Sequence, residues 1–279
     1  MSIATILSRR SLLALLAAGG LPLHARPAED TEAALRAAID GPQRSAANRT
    51  RDPARHPFET LRFFGVLPTH SVVEIAPGGG WYTEILAPYL REHGHLFAAH
   101  YAADDANAGR RRSRAAFQAK LAANPAVDDR VVLGTLPDAS NLEESGDSAA
   151  GTADVVLTFR NVHNWIEDGR LDAMLHAFHR ILAPGGVLGV VDHRAAPGTA
   201  LDRIRRSGYV TEALMQERAA AAGFILQARS ETNANLRDNH DHPNGVWSLP
   251  PTLRGGNADR ERFLAIGESD RFTHRYVRG

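Results

Sequence analysis

Cysteine is absent from the 279-residue chain, which excludes disulfides, thiolate zinc sites, iron–sulfur clusters, cysteine nucleophiles and a lipoprotein anchor. That absence is compatible with any compartment. An excess of charge of one sign is also missing, since 32 Lys and Arg face 32 Asp and Glu, so the chain lacks the basic footprint of a nucleic-acid binder. Long apolar runs are missing too. The uncharged stretch Ser11 to Leu23, 13 residues, falls short of the roughly 20 that a membrane-spanning helix needs. What is there, 43% hydrophobic and 23% charged residues, is the composition of a globular protein with room for a sizeable core.

The uncharged stretch follows Ser8-Arg9-Arg10-Ser11-Leu12-Leu13-Ala14 and closes at Leu23-His24-Ala25. It resembles a twin-arginine export signal over residues 1–25, which implies a periplasmic or secreted protein with no stable membrane insertion once the signal is cleaved. Removing it leaves 30 basic against 32 acidic residues, a net charge near −2.

Ala34, Leu35, Ala38 and Ile39 recur at helical spacing, and an arginine-bearing polar stretch leads on to His56-Pro57. Residues 26–57 therefore read as a helical N-terminal extension to a main domain over 58–279. In that domain a short helix around Leu61 to Phe64 stops at Gly65 and Pro68, and Ser71 to Ala76 (SVVEIA) has the β-branched composition of a buried strand. Pro77-Gly78-Gly79-Gly80 and a helical stripe through Ile85, Leu86 and Leu90 complete a strand–turn–helix unit. Further strands are expected at Leu96 to His100, Arg130 to Leu133, Ala153 to Phe159, Val187 to Asp192 and Phe224 to Ala228, separated by helices over Ala115 to Ala123, Leu171 to Leu182 and Thr211 to Ala222. The Pro184-Gly185-Gly186 turn is expected to end the second of these helices. Phe272, His274 and Tyr276 alternate with Thr273, Arg275 and Val277, the period of a strand with two unlike faces. The alternation is that of an α/β protein, a mostly parallel sheet covered by helices. Between the last two strands, residues 229–271 form a lid-like insertion that carries histidines and Trp247.

The segment VVEIAPGGGWYTEILAPYL resembles the first motif of the class I S-adenosylmethionine-dependent methyltransferases. ADVVLTFRNVHNW and the helix, Ala-Pro-Gly-Gly turn and strand of Leu171 to Asp192 resemble the family's later segments. The likeness runs from about Leu61 to Tyr276. Within the family it is nearest to exported methyltransferases with a Ser-Asp-Arg-Phe segment, here Ser269 to Phe272. The resemblance implies a Rossmann-like sheet of seven strands with an antiparallel final strand and helices on both faces. It also implies S-adenosylmethionine as cofactor and methyl transfer to a small molecule. By the same resemblance Glu74, Ala76, Pro77, Gly78, Gly79, Gly80, His100 and Asn161 bind the cofactor. Two positions depart from the family pattern. Ala76 stands at the first of three glycine-like positions, and His100 stands where an acidic residue usually holds the ribose.

Methyl transfer is an in-line displacement, so a protein mainly aligns the nucleophile and removes its proton where needed. His163 follows the fourth strand, and Asp192-His193-Arg194 ends the fifth, at the sheet edge where this architecture binds ligands. His163, His193 and Asp192 are the catalytic candidates, with helix capping for His163 and a structural ion pair for the others as the alternatives. Trp81 and Tyr82 either cover the cofactor or pack the helix on the sheet. Arg110, Arg111, Arg112 and Arg114 read as a solvated helix face. Two other functions stay open: a non-catalytic ligand-binding envelope protein that keeps the fold, prompted by His100, and a metal-dependent hydrolase built on His240-Asp241-His242.

Overall fold

Short aliphatic and β-branched runs, each followed by a helix, assemble into one sheet of seven strands in the order β3-β2-β1-β4-β5-β7-β6. The computed structural model describes residues 28–136 and 151–279, and the twin-arginine-type segment lies outside them. The strands are β1 (Ser71–Ile75), β2 (His95–His100), β3 (Val131–Thr135), β4 (Ala153–Phe159), β5 (Leu182–His193), β6 (Phe224–Ser230) and β7 (Arg271–Arg278). All neighbouring pairs are parallel except those of β7, which runs antiparallel to both β5 and β6.

The helices in chain order are α1 (Ala28–Asp40), α2 (Ala46–Arg49), α3 (Asp52–Arg55), α4 (Pro57–Phe64), α5 (Thr83–Leu90), α6 (Ala108–Ala123) and α7 (Pro125–Asp128). They continue with α8 (Val162–Glu167), α9 (Leu171–Ile181), α10 (Leu201–Ser207), α11 (Glu212–Ala221) and α12 (Arg260–Ile266). No described helix is long and apolar enough to cross a membrane.

Strand periodicity divides the core into two layers. On β4, Val155 and Leu157 turn to the face covered by Leu35 and Ile39 of α1, Leu61 and Phe64 of α4, and Ile85 and Leu86 of α5. Val156 turns to the other face, against Val162 and Trp165 of α8, Met174 and Phe178 of α9, and Met215 of α11. Each fully buried aliphatic or aromatic side chain contributes about 1.5–3 kcal/mol over leaving it in water. The N-terminal extension is therefore not a separate appendage. Its first helix completes one core layer, and Gln43 just beyond it donates from Nε2 to the Glu84 carbonyl at 3.1 Å.

Three local expectations need correction. Helix α9 ends at Ile181, and Pro184-Gly185-Gly186 lies inside β5. There the register jumps from Ala153↔Leu182 to Val155↔Val187, so the turn is a bulge at the strand's entry and not a helix terminator. Strand β7 keeps its two unlike faces only in part: it lies between β5 and β6, Phe272, His274 and Tyr276 are buried, and of the alternate set Thr273 is buried too while Arg275 and Val277 are half-buried. Arg114 is not on the solvated face of α6, because its guanidinium donates to the carbonyls of Tyr101 (2.7 Å) and Gly134 (2.8 Å) and ties the ends of β2 and β3 to the helix.

The segment 229–271 is built, not slack. Asp238 is buried and accepts the Tyr209 hydroxyl, His242 Nε2 at 2.8 Å and the backbone N–H groups of His240 and Asp270, each at 2.9 Å. This one carboxylate pins the insertion to β7. A short 3₁₀ turn at Gly245–Ser248 follows, bringing Val246 and Trp247 over the carboxyl end of the sheet.

Candidate functional site

The strand order reverses between β1 and β4, so the loops leaving their carboxyl ends diverge and open a crevice. A cleft of about 320 Å³ lies there, lined from below by Glu74 to Gly79 and by Phe159 to Asn161, and from the insertion by Val246 and Trp247.

After β1 the backbone turns through positive φ at Ala76 (+48°), Gly78 (+59°) and Gly80 (+74°). A β-carbon on Gly78 or Gly79 would meet nothing within 4 Å, whereas one on Gly80 would come within 2.9 Å of the Phe117 ring. Gly78 and Gly79 thus leave the backbone open to a ligand, and Gly80 is required for packing against α6. Lys120 clamps the loop from outside, donating to the carbonyls of Gly79 (2.8 Å) and Gly80 (3.2 Å) and to the Glu84 carboxylate (2.8 Å). Under the loop Glu74 is buried; it accepts the Thr83 hydroxyl at 2.6 Å, and burial raises its pKa to about 7. Asn161 is also spoken for on its amide side, donating to the Ile75 carbonyl at 3.1 Å and to Thr158 Oγ1 at 3.2 Å, which locks the end of β4 to β1.

The far wall holds the histidines. His163 Nδ1 lies 2.9 Å from Asp192 Oδ1, and since an ionised carboxylate only accepts, Nδ1 carries the proton and Nε2 is the ring's acceptor. Asp192 also accepts the backbone N–H of Val162 at 2.6 Å and of His193 at 2.7 Å. His193 sits with its ring 5.0 Å from that of His163 and its Nδ1 2.6 Å from Ser269 Oγ. Burial, then the nearby His163, Arg160, Arg271 and Arg55, push its pKa well below the ordinary value and keep it neutral.

Ligand atoms of His163, Asp192 and His193 do fall within 4.8 Å of one another. Asp192 Oδ1 accepts from His163 and from the His193 N–H while Oδ2 accepts from the Val162 N–H, so the carboxylate orients His163 and the backbone on either side of it. The pattern His240-Asp241-His242 does not converge: His240 Nε2 meets Asp270 Oδ2 at 3.1 Å, Asp241 meets Arg203 at 2.9 Å, and His242 meets Asp238.

Of the residues singled out in the sequence, Glu74, Ala76, Pro77, Gly78, Gly79, Asn161, His163 and His193 all line the one cleft, with Asp192 directly behind His163. Gly80 and His100 do not line it. His100 is fully buried, with Nδ1 accepting from the Tyr101 N–H at 2.8 Å and Nε2 3.4 Å from the Gly78 carbonyl, so it braces the glycine loop from beneath. Trp81 and Tyr82 line the cleft and they pack, Trp81 donating to the Asn48 carbonyl and Tyr82 stacking on Phe159 at 3.6 Å.

Sequence reading missed the cations. Arg51 and Arg55, carried by α3 and the turn before it, reach the cleft, as does Arg160 at the end of β4; Glu268 faces all three. Their only sequence signal is the arginine-bearing stretch before His56 and the Arg in Phe159-Arg160-Asn161.

The seven-stranded sheet with its antiparallel β7 and a glycine loop after β1 is the Rossmann-like class I methyltransferase fold. Among solved structures the chain is similar to a SAM-dependent methyltransferase from Aquifex aeolicus, with 14% identity, a TM-score of 0.52, and coverage of 89% of this chain and 98% of that one. It is also similar to geranyl diphosphate methyltransferase in complex with SAM, with 13% identity, a TM-score of 0.52, and coverage of 88% and 95%. The cyclase SpnF matches at 15% identity and a TM-score of 0.53, over 86% and 84% of the two chains. No protein-family model matches the chain, and no curated protein matches it.

Proposed function

We propose that this chain is an S-adenosylmethionine-dependent methyltransferase that transfers a methyl group to an oxygen or nitrogen of a small molecule. The observation that carries it is the facing of two halves of one cleft: the open backbone of Gly78 and Gly79 beside Glu74, and the acceptor Nε2 of His163 backed by Asp192. The fold likeness to methyltransferases, one of them in complex with SAM, is consistent with this use.

The residues fit the cofactor's amino-acid end. Gly78 and Gly79 allow close backbone approach, Glu74 offers a carboxylate to hydrogen-bond donors, and Asn161 keeps β1 and β4 in register beside it. When bound, the cofactor supplies an electrophilic methyl group on a sulfonium. The protein's own part is to orient the acceptor, to exclude water beneath Val246 and Trp247, and to take the acceptor's proton on His163 Nε2 while Asp192 stabilises the resulting imidazolium. Titrating the purified protein with S-adenosylmethionine or S-adenosylhomocysteine in a calorimeter tests the reading. Saturable binding is expected, and no saturable heat at millimolar ligand sinks it.

A second reading is a ligand-binding envelope protein that keeps the fold without methyl transfer. It is favoured by His100, whose ring nitrogens lie against the Tyr101 N–H and the Gly78 carbonyl. Methyl turnover, or cofactor bound to protein isolated from the exported fraction, would count against this alternative. Export itself rests on the twin-arginine-type residues 1–25, and fractionation of cells expressing the full chain, with and without Arg9→Lys plus Arg10→Lys, checks it.

A further inference from the structure

Four arginines meet beside the cleft around a single carboxylate. Arg51 Nε lies 2.7 Å from Glu268 Oε1, while Arg55 Nε (3.3 Å) and Arg271 Nη1 (3.1 Å) share Oε2. The Arg160 guanidinium makes no hydrogen bond or ion pair with any described residue, yet it is close enough to Glu268 to help hold that acid down. Burial pushes Glu268 up, but Arg55, Arg271, Arg160 and Arg51 outweigh it and hold the carboxyl at about 2. Glu268 is therefore ionised at any physiological pH, and the group keeps a surplus of three positive charges.

That surplus is unmet at specific atoms. Arg55 is 2% exposed, lines the cleft and has a buried Nη2 with no partner; Arg51 Nη2 is likewise buried and unpaired. A buried guanidinium nitrogen without an acceptor is costly, and it persists where a ligand supplies the acceptor. The strain is electrostatic as well: burial and the neighbouring Arg160 pull Arg55 down to about 8. Arg160 is delivered to the cleft by a backbone at φ +61°, a left-handed conformation that is strained for a non-glycine residue and recurs at ligand clamps.

The amino-acid end of the cofactor, a zwitterion of no net charge, does not balance this surplus, and the sulfonium adds a further positive charge. We propose that the methyl acceptor is an anion, a small molecule whose phosphate or carboxylate group is gripped by Arg51, Arg55 and Arg160. Planar guanidinium forks suit either oxyanion, with two parallel N–H donors to each. Arg160 stands three residues before His163 on the loop leaving β4, so an acceptor anchored there presents its remaining atoms to Nε2 of that histidine. The acceptor role rests on the methyltransferase reading; the anion site does not.

The test uses the full chain with pyrophosphate and malonate as phosphate and carboxylate probes, titrated with and without S-adenosylhomocysteine. Saturable binding of at least one probe is expected, weakening with added salt, and which probe binds tighter separates phosphate from carboxylate recognition. Arg160→Gln breaks no hydrogen bond or ion pair with any described residue, so it should fold normally, weaken the probe by about tenfold or more, and leave S-adenosylhomocysteine affinity within about twofold. No saturable probe binding at about 10 mM overturns the proposal. So does an Arg160→Gln variant that loses S-adenosylhomocysteine while keeping the probe, because the anion served would then be the cofactor's carboxylate. Probe binding that depends on Arg160 in a protein that binds no S-adenosylhomocysteine keeps the anion site and removes the methyltransferase reading instead.

Discussion

His163 and Asp192 form a buried pair, Nδ1 to Oδ1 at 2.9 Å, and the carboxylate is held in turn by the backbone N–H groups of Val162 and His193. The imidazole is therefore fixed in ring orientation and tautomer, with Nε2 as the acceptor at the wall of the cleft. His163→Gln should leave S-adenosylhomocysteine affinity nearly unchanged and lower the turnover of an anionic acceptor by about 10²–10⁴-fold, the usual contribution of a positioned general base. Release of S-adenosylhomocysteine measures it. A variant that keeps full turnover would reassign His163 to structure alone.

Glu74 makes a prediction in pH. Its carboxyl is 2% exposed, and burial raises it from 4.5 to about 7, with the Thr83 hydroxyl and the Lys120 charge acting in the opposite direction. The unfolded chain gives up this proton near 4.5 and the folded protein only near 7, so between those values unfolding releases a proton and the contribution to stability falls as pH rises. At about 1.4 kcal/mol per unit the loss totals roughly 3 kcal/mol. Glu74→Gln has no such proton. Urea unfolding at a series of pH values should show the variant gaining on the parent by about that amount from below pH 4.5 to above pH 7. A difference that stays flat across the window would contradict the raised pKa.

Asp238 supports the insertion as a single polar hub, accepting from Tyr209, His240, His242 and Asp270 while 4% exposed. Asp238→Ala strips the acceptor from two buried side chains and two backbone donors, and should cost about 3 kcal/mol or more. Hydrogen exchange should accelerate across 231–270 before it does so in β1 or β4. Asp241→Ala, one residue from His242 but in an exposed pair with Arg203, should change little. Equal effects from the two substitutions would mean that the segment is not organised around Asp238.

Most of the strands were readable in the sequence because β1, β4 and the second half of β5 are contiguous aliphatic runs, and because the helix of Leu171 to Ile181 carries its stripe at close to ideal spacing. Boundaries failed where one signal served two elements. Pro184-Gly185-Gly186 looks the same ending a helix as bulging a strand, and only the pairing of Ala153 with Leu182 decides. The loop after β1 and the histidines at the ends of β4 and β5 were legible, since each sits a fixed number of residues past a strand. The arginine cluster was not. Arg55 and Glu268 are 213 positions apart and meet only because α3 and the segment before β7 pack at the same edge, a relationship that no local spacing encodes. His100 was legible as a departure, but its use was not: a histidine and an acid at the end of β2 look alike as ligand groups until the Gly78 carbonyl is found beside the ring.

Ala76 is the other departure from the glycine pattern, and here the backbone did not yield to the side chain. Its φ is +48°, the left-handed conformation a glycine would adopt at no steric cost, while its N–H donates to the Ala99 carbonyl at 2.8 Å and so anchors the start of the loop to β2. An L-residue pays about 1–2 kcal/mol for this geometry, whereas glycine loses roughly 0.5–1 kcal/mol more backbone entropy on folding. The first term outweighs the second, so Ala76→Gly should leave the protein as stable or raise its unfolding free energy by up to about 1 kcal/mol. Because the loop already holds glycine-like dihedrals, S-adenosylhomocysteine affinity should not improve with it. Chemical denaturation and calorimetry on the same variant separate the two effects. A large gain in cofactor affinity would mean that the alanine distorts the loop, and a loss of more than about 1 kcal/mol in stability would mean that its methyl group packs more than its backbone strains.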